Sequence, residues 1–464
     1  MTPWIARRIV YPLQELACRR PTFAYLEALE RSQWLPRSEL EALQRQKLNA
    51  LLNVALAHCP WHAGRLRDAG LAEQVMANAV THDTLRALPV MTKLDAREHR
   101  DGLVWHGVPG GSFRYNTGGS SGEPLIFHFG RERQASDAAG RMRARRWWGV
   151  EPGEREAYLW GAPVELNKTD RIKTIRDRLI NQLVLNAFAM SPARMDEYLA
   201  ALQAWQPVCL YGYASSVALL AAHAEARGRT PLRLTRLRVV CTTGEPLYPH
   251  QRELIGRVFG VPVANEFGSR DVGFTAHEAP GGVLLLLSES HIVEVLDADG
   301  EPCAPGVPGE AVITGLTSAA QPFIRYRTGD VVSLSPDADP AGRGLHVLGE
   351  VTGRQTDFVV HEDGTIMHAL AVIYVLRAID GIEQFKCIQH TRRDVEVLVV
   401  PNARWHDGAA VEVERGLRAR LGDGLQVRLQ LVGSIPPEQS GKHRYVVSHV
   451  KLDSRLAHAT HETE

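Results

Sequence analysis

Three short β-branched or apolar runs, Val208–Tyr211, Leu237–Thr242 and Val261–Phe267, each lead into a glycine within two residues: Gly212, Gly244 and Gly268. Helical patterns follow the first two, over Ala214–Arg227 and Pro249–Phe259. A strand that ends on a glycine loop and passes into a helix is the repeating unit of an α/β fold with largely parallel strands. Ligand loops in such folds gather at the C-terminal ends of the strands. From Val283 to about Ser335 the rhythm changes. Strand-like runs such as HIVEVLD and GEAVITGL are separated by the turn-rich stretch DADGEPCAPGVPGE, which reads as antiparallel β. Residues 22–75 read as largely helical, with Leu40, Leu43, Leu48, Leu51, Leu52, Val54, Ala55 and Leu56 recurring at helix-like spacing. After Gly353 a further mixed segment begins, with strands DFVVHEDGTI and DVEVLVV around a helical stretch at Ala369–Ile379. The expected organisation is an α/β body over 1–353, helical over about 1–100, with mostly parallel sheets and a β-rich subdomain. A small α+β domain over 354–464 follows a hinge near Gly353–Asp357.

Composition narrows the class. A chain of 464 residues exceeds one ordinary core of roughly 100–200 residues. Lys plus Arg and Asp plus Glu are each 53, so no global field draws the protein to nucleic acid or an anionic membrane. The cysteines Cys18, Cys59, Cys209, Cys241, Cys303 and Cys387 form no C-x-x-C pair, which fits free thiols in a reducing, cytoplasmic compartment. No apolar run approaches the ~20 residues needed to span a bilayer. The N-terminal stretch is broken by Arg7, Arg8 and Pro12 and lacks the core of a signal peptide. Packing onto the body is its expected fate.

The most informative segment is Tyr115-Asn-Thr-Gly-Gly-Ser-Ser-Gly-Glu-Pro124. Thr117, Gly118, Gly119, Ser120, Ser121 and Gly122 are all Thr, Ser or Gly. Such glycines let successive N–H groups point at one anion, and the hydroxyls add donors, so the loop suits the phosphates of a nucleotide. No Gly-Lys-Ser/Thr closes it, so it is not the Walker pattern. Read alone, it is equally a flexible surface loop. It also matches G-x-S-x-G, but that hydrolase elbow requires a helix after the serine, and a strand-like LIFHF follows Pro124.

With the segments that follow it, the chain resembles the AMP-forming adenylating enzymes, and within them the phenylacetate–CoA ligase branch with its relatives from polysaccharide gene clusters. The resemblance runs from SQWLPRSELEALQ to SGKHRYVVS, with the motifs in order. It implies that Thr117–Gly122 holds ATP phosphates and that Gly244, Glu245 and Pro246 form the strand end flanking adenine. In Asn265-Glu-Phe-Gly-Ser-Arg-Asp-Val-Gly273, it implies Phe267 beside adenine, Gly268, Ser269 and Arg270 at the nucleotide, and Asp271 as the Mg²⁺ ligand. Here Arg270 stands where Ser/Thr is usual and Asp271 where Glu is usual. In Ile324-Arg-Tyr-Arg-Thr-Gly-Asp330, Asp330 would accept from the ribose hydroxyls, a task suited to an acceptor-only carboxylate. In Gly353-Arg-Gln-Thr-Asp357, Arg354 would reach ribose or phosphate and Asp357 would lie at the hinge of a mobile C-terminal domain. In Gly441-Lys-His-Arg444, Lys442 would bridge the carboxylate and the α-phosphate in the transition state.

The expected activity is therefore ATP-dependent conversion of a carboxylic acid to an acyl-adenylate, followed by transfer to a thiol, CoA above all. Transfer to an amine or carrier protein is the second reading. A nucleotide-binding protein without catalysis is the third, opposed by the presence of Lys442, Asp330 and Arg354. The RMRARRWW stretch at 141–148 reads as a solvated helix face, and His277–Glu278 as no metal site. His390 and His406 read as surface residues.

Overall fold

The computed structural model describes residues 1–116, 125–160, 176–187, 192–244, 246–354, 358–363, 366–368, 370–435 and 446–450. A hairpin of β1 (Ser112–Asn116) and β2 (Ile126–Gly130) flanks the Thr/Ser/Gly segment, and a strand does follow it. The main sheet comprises β3 (Glu156–Trp160), β4 (Gln182–Asn186), β5 (Cys209–Tyr213), β6 (Val239–Thr243), β7 (Val263–Ser269), β8 (Gly273–Glu278), β9 (Leu284–Leu286), β10 (His291–Leu296), β11 (Gly309–Gly315), β12 (Tyr326–Ser335) and β13 (Val347–Arg354). Their spatial order is β10-β11-β12-β13-β9-β8-β7-β6-β5-β3-β4.

From β4 to β7 every pairing is parallel. Strands β5 and β6 are buried along their whole length, as parallel strands covered on both faces must be. Of the helices, α1 (Arg37–His58) lies in the N-terminal region, α2 (Arg131–Trp147) follows the hairpin, and α3 (Pro192–Trp205), α4 (Ala214–Ala226) and α5 (Pro249–Phe259) accompany the parallel strands. Leu199, Leu210, Val217, Leu220 and Ile255 meet there with no solvent exposure. Each such side chain contributes roughly 1.5–3 kcal/mol on burial, so the helix layer is fixed by many contacts rather than one. Helix α5 begins with Pro249 at its first position and ends at Gly260 in the left-handed region, φ 70°, the asymmetry expected of helix ends.

The change to antiparallel pairing comes earlier than Val283. Strand β8 already runs back along β7. Two glycines make that reversal possible. A Cβ on Gly268 would stand 2.4 Å from the Gly273 carbonyl oxygen, and Gly273 has φ +101° with no room beside Asp137. All six residues of β8 are buried, so no polar/apolar alternation announces the strand.

The helical N-terminal region packs under β10–β12 through Leu48, Leu52, Leu66 and Leu85 against Leu316 and Ile324. Arg325, at φ 51°, anchors this junction: its guanidinium donates to Glu294 at 3.0 Å and to the carbonyls of Arg86 and Leu88 at 2.8 and 2.6 Å. The first helical stretch packs only partly. Ala6 and Glu15 are buried, while Trp4, Leu13 and Leu16 face outward at 62%, 58% and 72% exposure. No helix among the described residues is long and apolar enough to cross a membrane.

Beyond β13 come a short hairpin, β14 (Phe358–Val360) with β15 (Ile366–His368), and the helix α6 (Leu370–Arg377). A four-stranded sheet follows, of β16 (Ile382–Thr391), β17 (Asp394–Pro401), β18 (Gln426–Leu431) and β19 (Val446–Ser448), with α7 (Asp407–Leu421). Val372, Leu376, Val395, Val397, Val413 and Leu417 form a separate, fully buried core.

Candidate active site

A cleft of about 1080 Å³ opens where β5, β6 and β7 end, bounded by α2 and by the start of β12. It brings together segments far apart in sequence: Thr243–Gly244, Gly268–Asp271 and Tyr326–Gly329. This is where parallel sheets place ligand loops, and the pairing change at β7/β8 makes the loop between them a lip of the cleft.

The 268–273 loop is held from two sides. Arg133, reaching from α2 and 2% exposed, donates to the carbonyl oxygens of Asp271 and Arg270 at 2.5 and 2.6 Å. The Asp271 carboxylate accepts from the Ser269 hydroxyl and from the Tyr326 hydroxyl, the latter at 2.9 Å. Tyr326 is itself 1% exposed, so this oxygen is fixed by a rigid donor. Arg133 also lies over the Phe129 ring, 4.9 Å from its centroid.

Asp330 is 8% exposed, and its backbone N–H donates to Thr328 Oγ1 at 3.2 Å. In the β12–β13 ladder Asp330 lies opposite Arg354, so two expected site residues are cross-strand neighbours. Beside them Glu310 pairs with Arg327 at 2.9 Å. Burial pushes the Glu310 carboxyl above its ordinary range, with Asp330 adding to the rise and Arg327 opposing it. Gly244 follows β6 at φ 74°, and Pro246 leads toward α5. Phe267 packs among the apolar core residues beside β7, while its neighbours Glu266 and Gly268 line the cleft; along a strand successive side chains take opposite faces. Thr117–Gly122, Glu245, Asp357 and Lys442 lie outside the described residues.

The arginine-rich helix corrects one expectation. Helix α2 is not a solvated face. Arg133, Arg143 and Arg145 are 2%, 1% and 8% exposed, and each is held by partners distant in sequence. Arg143 pairs with Glu289 at 2.6 Å, Arg145 with Glu156, and Arg141 with Glu266 at 3.4 Å. Burying a guanidinium is unfavourable unless it is paired and hydrogen-bonded, and the acids that do this come from β3, β7 and the turn before β10, which no local pattern announces. Arg133, Arg141, Tyr211, Glu266 and Tyr326 are thus site residues with no role assigned from the sequence. His277 is buried, with Nδ1 2.9 Å from the Glu278 carbonyl, and Glu278 is taken by Arg252 and the Asn265 N–H.

Comparison with known proteins agrees with this geometry. The CapK C-terminal domain family model matches residues 359–449. Protein CapK of Staphylococcus aureus is 21% identical over 437 residues, 93% of this chain and 94% of the relative. A phenylacetate-coenzyme A ligase of Thermus thermophilus is 26% identical over 364 residues, 75% of this chain and 77% of the relative. Among solved structures, 2-hydroxyisobutyryl-CoA ligase in its postadenylation state, in complex with 2-HIB-AMP, superposes with a TM-score of 0.67 at 21% identity, covering 93% of each chain. Motif order and relatives together make the chain similar to CapK and to the phenylacetate–CoA ligases, and its fold is the one seen in 2-hydroxyisobutyryl-CoA ligase.

Proposed function

We propose that the protein activates a carboxylic acid with ATP and passes the acyl group to the thiol of CoA. The observation that carries this reading is the convergence of Thr243–Gly244, Gly268–Asp271 and Tyr326–Gly329 on one cleft. A substrate carboxylate oxygen attacks the α-phosphorus, the bond to the β-phosphate oxygen breaks, and pyrophosphate leaves. The thiolate then attacks the carbonyl of the mixed anhydride and AMP leaves. Asp330 accepts from the ribose hydroxyls, Arg354 reaches ribose or phosphate, and the Thr117–Gly122 segment cradles the phosphates. Gly244, Glu245 and Pro246 border the base. Lys442 supplies an ammonium to the charge that builds on the α-phosphate as pyrophosphate departs.

Asp271 suits a Mg²⁺ site. Its carboxylate lines the cleft, each oxygen is oriented by one hydroxyl, and an ionised carboxylate has further lone pairs to give. Among the described residues no cluster of three His, Cys, Asp or Glu could hold a metal alone. Mg²⁺ is commonly bound by one or two carboxylates completed by substrate phosphates and water, where it neutralises phosphate charge. We place the reaction in the cytoplasm, where ATP and CoA are available and the six thiols stay reduced.

The test is acid-dependent pyrophosphate exchange with wild type and Lys442→Ala, followed by product analysis with CoA, amines and carrier protein. Loss of a transition-state donor costs about 10²–10³ in rate, so the variant should fall by that factor while still binding ATP. Exchange at the normal rate in the variant refutes the role of Lys442, and no exchange in wild type with any acid refutes adenylation.

A further inference from the structure

Building on the adenylation reading, we propose that the acid carries a hydroxyl group beyond its reacting carboxylate, and that Arg141 and Glu266 are the pair that recognises it.

Helix α2 gives the cleft a direction. Arg133 and Arg141 are eight residues apart on one helix and both line the cleft, which separates them by about 12 Å along its axis. Arg133 grips the loop carrying Asp271, the phosphate end in this reading. The Arg141 end is walled by Tyr158, Trp160, Tyr211 and Tyr213, with Trp160 and Tyr213 stacked at 4.4 Å. Flat aromatic walls beyond the reacting centre suit the body of an acid rather than a triphosphate.

Within that end one polar pair stands out. The Glu266 side chain is 4% exposed. Its Oε1 accepts from the Tyr211 hydroxyl at 2.8 Å, the Thr243 hydroxyl at 3.2 Å and Arg141 Nε at 3.4 Å. Oε2 receives none of these donors. Arg141 is 38% exposed and gives Glu266 only its Nε, so its two terminal amino groups take no part in that pairing. The pair therefore offers the cleft a carboxylate acceptor beside guanidinium donors, with zero net charge.

A hydroxyl fits this offer. It has one hydrogen to give Oε2 and lone pairs to take an Arg141 N–H, and it adds no charge. An ammonium would satisfy Glu266 but oppose Arg141. A second carboxylate would satisfy Arg141 but oppose Glu266. An unsubstituted alkyl or aryl acid would strip water from both groups and replace it with nothing. Sites built to hydrogen-bond a substrate hydroxyl reject the analogue lacking it by up to about 10⁴–10⁵-fold, so a preference of at least about 100-fold is expected here.

The experiment measures kcat/KM for pyrophosphate release across two matched sets. One is butyrate, 3-hydroxybutyrate, 3-aminobutyrate and glutarate; the other is phenylacetate with its 4-hydroxy, 4-amino and 4-carboxy derivatives. Thermal-shift titration of the same acids beside a non-hydrolysable ATP analogue reads recognition without turnover. The hydroxylated member of at least one set should lead in both measurements. Glu266→Gln and Arg141→Met, checked for folding by circular dichroism, should cut the hydroxyl preference ratio at least about tenfold. Pyrophosphate release led by an unsubstituted, amino or dicarboxylic acid overturns this inference and leaves adenylation standing, as does an undiminished ratio in the variants. No stabilisation by any acid and no pyrophosphate overturns both.

Discussion

Replacing Arg133 separates what holds the 268–273 loop in place from what the loop does. The guanidinium bonds two successive carbonyls, those of Arg270 and Asp271. A hydrogen bond involving a charged group contributes about 1.5–3 kcal/mol, so the two together give roughly 3–6 kcal/mol before costs. The cost side is visible: burial pushes the Arg133 pKa down, although Asp137 and Asp271 oppose it. Arg133→Met keeps the apolar stem over Phe129 and removes both donors, and a net loss of about 2–4 kcal/mol in folding stability follows. Arg133→Lys retains a charge but has a single ammonium where a planar fork met two acceptors, so it should lie between the two. The assay is urea unfolding paired with calorimetric ATP binding. If the loop positions nucleotide-binding groups, Met should weaken ATP at least about tenfold, equivalent to about 1.4 kcal/mol, and Lys by less. A stability loss of the expected size with unchanged ATP affinity would refute the positioning role. Unchanged stability would refute the hydrogen-bond assignment itself.

Asp330→Ala should raise the ATP dissociation constant about 10–100-fold, since a charged hydrogen bond to ribose contributes roughly 1.5–3 kcal/mol; an unmoved constant refutes the ribose role. A proline at Gln355 or Thr356, in the expected hinge, should slow acyl transfer more than adenylation. Lys442 must occupy the site for the first step and leave room for the thiol in the second, and domain rotation resolves that conflict; equal losses in paired single-turnover rates count against it. His62 gives a pH signature. It is fully buried, with Nε2 2.8 Å from the Pro322 carbonyl and Nδ1 3.0 Å from Arg65. Burial, then Arg65, lowers its pKa from 6.5 to about 3. The unfolded chain thus binds the extra proton first, so the contribution of His62 is complete above pH 6.5 and is lost as pH falls toward 3, at up to about 1.4 kcal/mol per pH unit. His62→Gln should flatten the fall in unfolding free energy across that range, and an unchanged slope refutes the assignment.

What the sequence made legible follows the range over which each signal acts. The β-loop-α units are local, and the parallel strands β5, β6 and β7 stand where the apolar runs and their glycines put them. Strand β8 was hidden because all its residues are buried, so period-two alternation never arises. The arginines of α2 are misleading in sequence for a different reason. A run rich in cations looks solvated until its acids are found, and those lie 11, 125 and 146 residues away in Glu156, Glu266 and Glu289. The same distinction applies inside the cleft. On the proposed function, the loop glycines and acids are compact in sequence because backbone and short side chains from one turn suffice to meet nucleotide phosphates. The opposite end is assembled from Arg141 on α2, Tyr211 on β5, Thr243 on β6 and Glu266 on β7, one side chain from each element. Glu266 marks the join: it stands between motif residues Asn265 and Phe267, yet strand alternation turns it away from the core that takes Phe267 and toward the cleft. A motif therefore fixes where this residue is, while only the assembled sheet fixes what it faces. That is why the proposed activation chemistry can be read along the chain, while the proposed selection of the acid requires the fold.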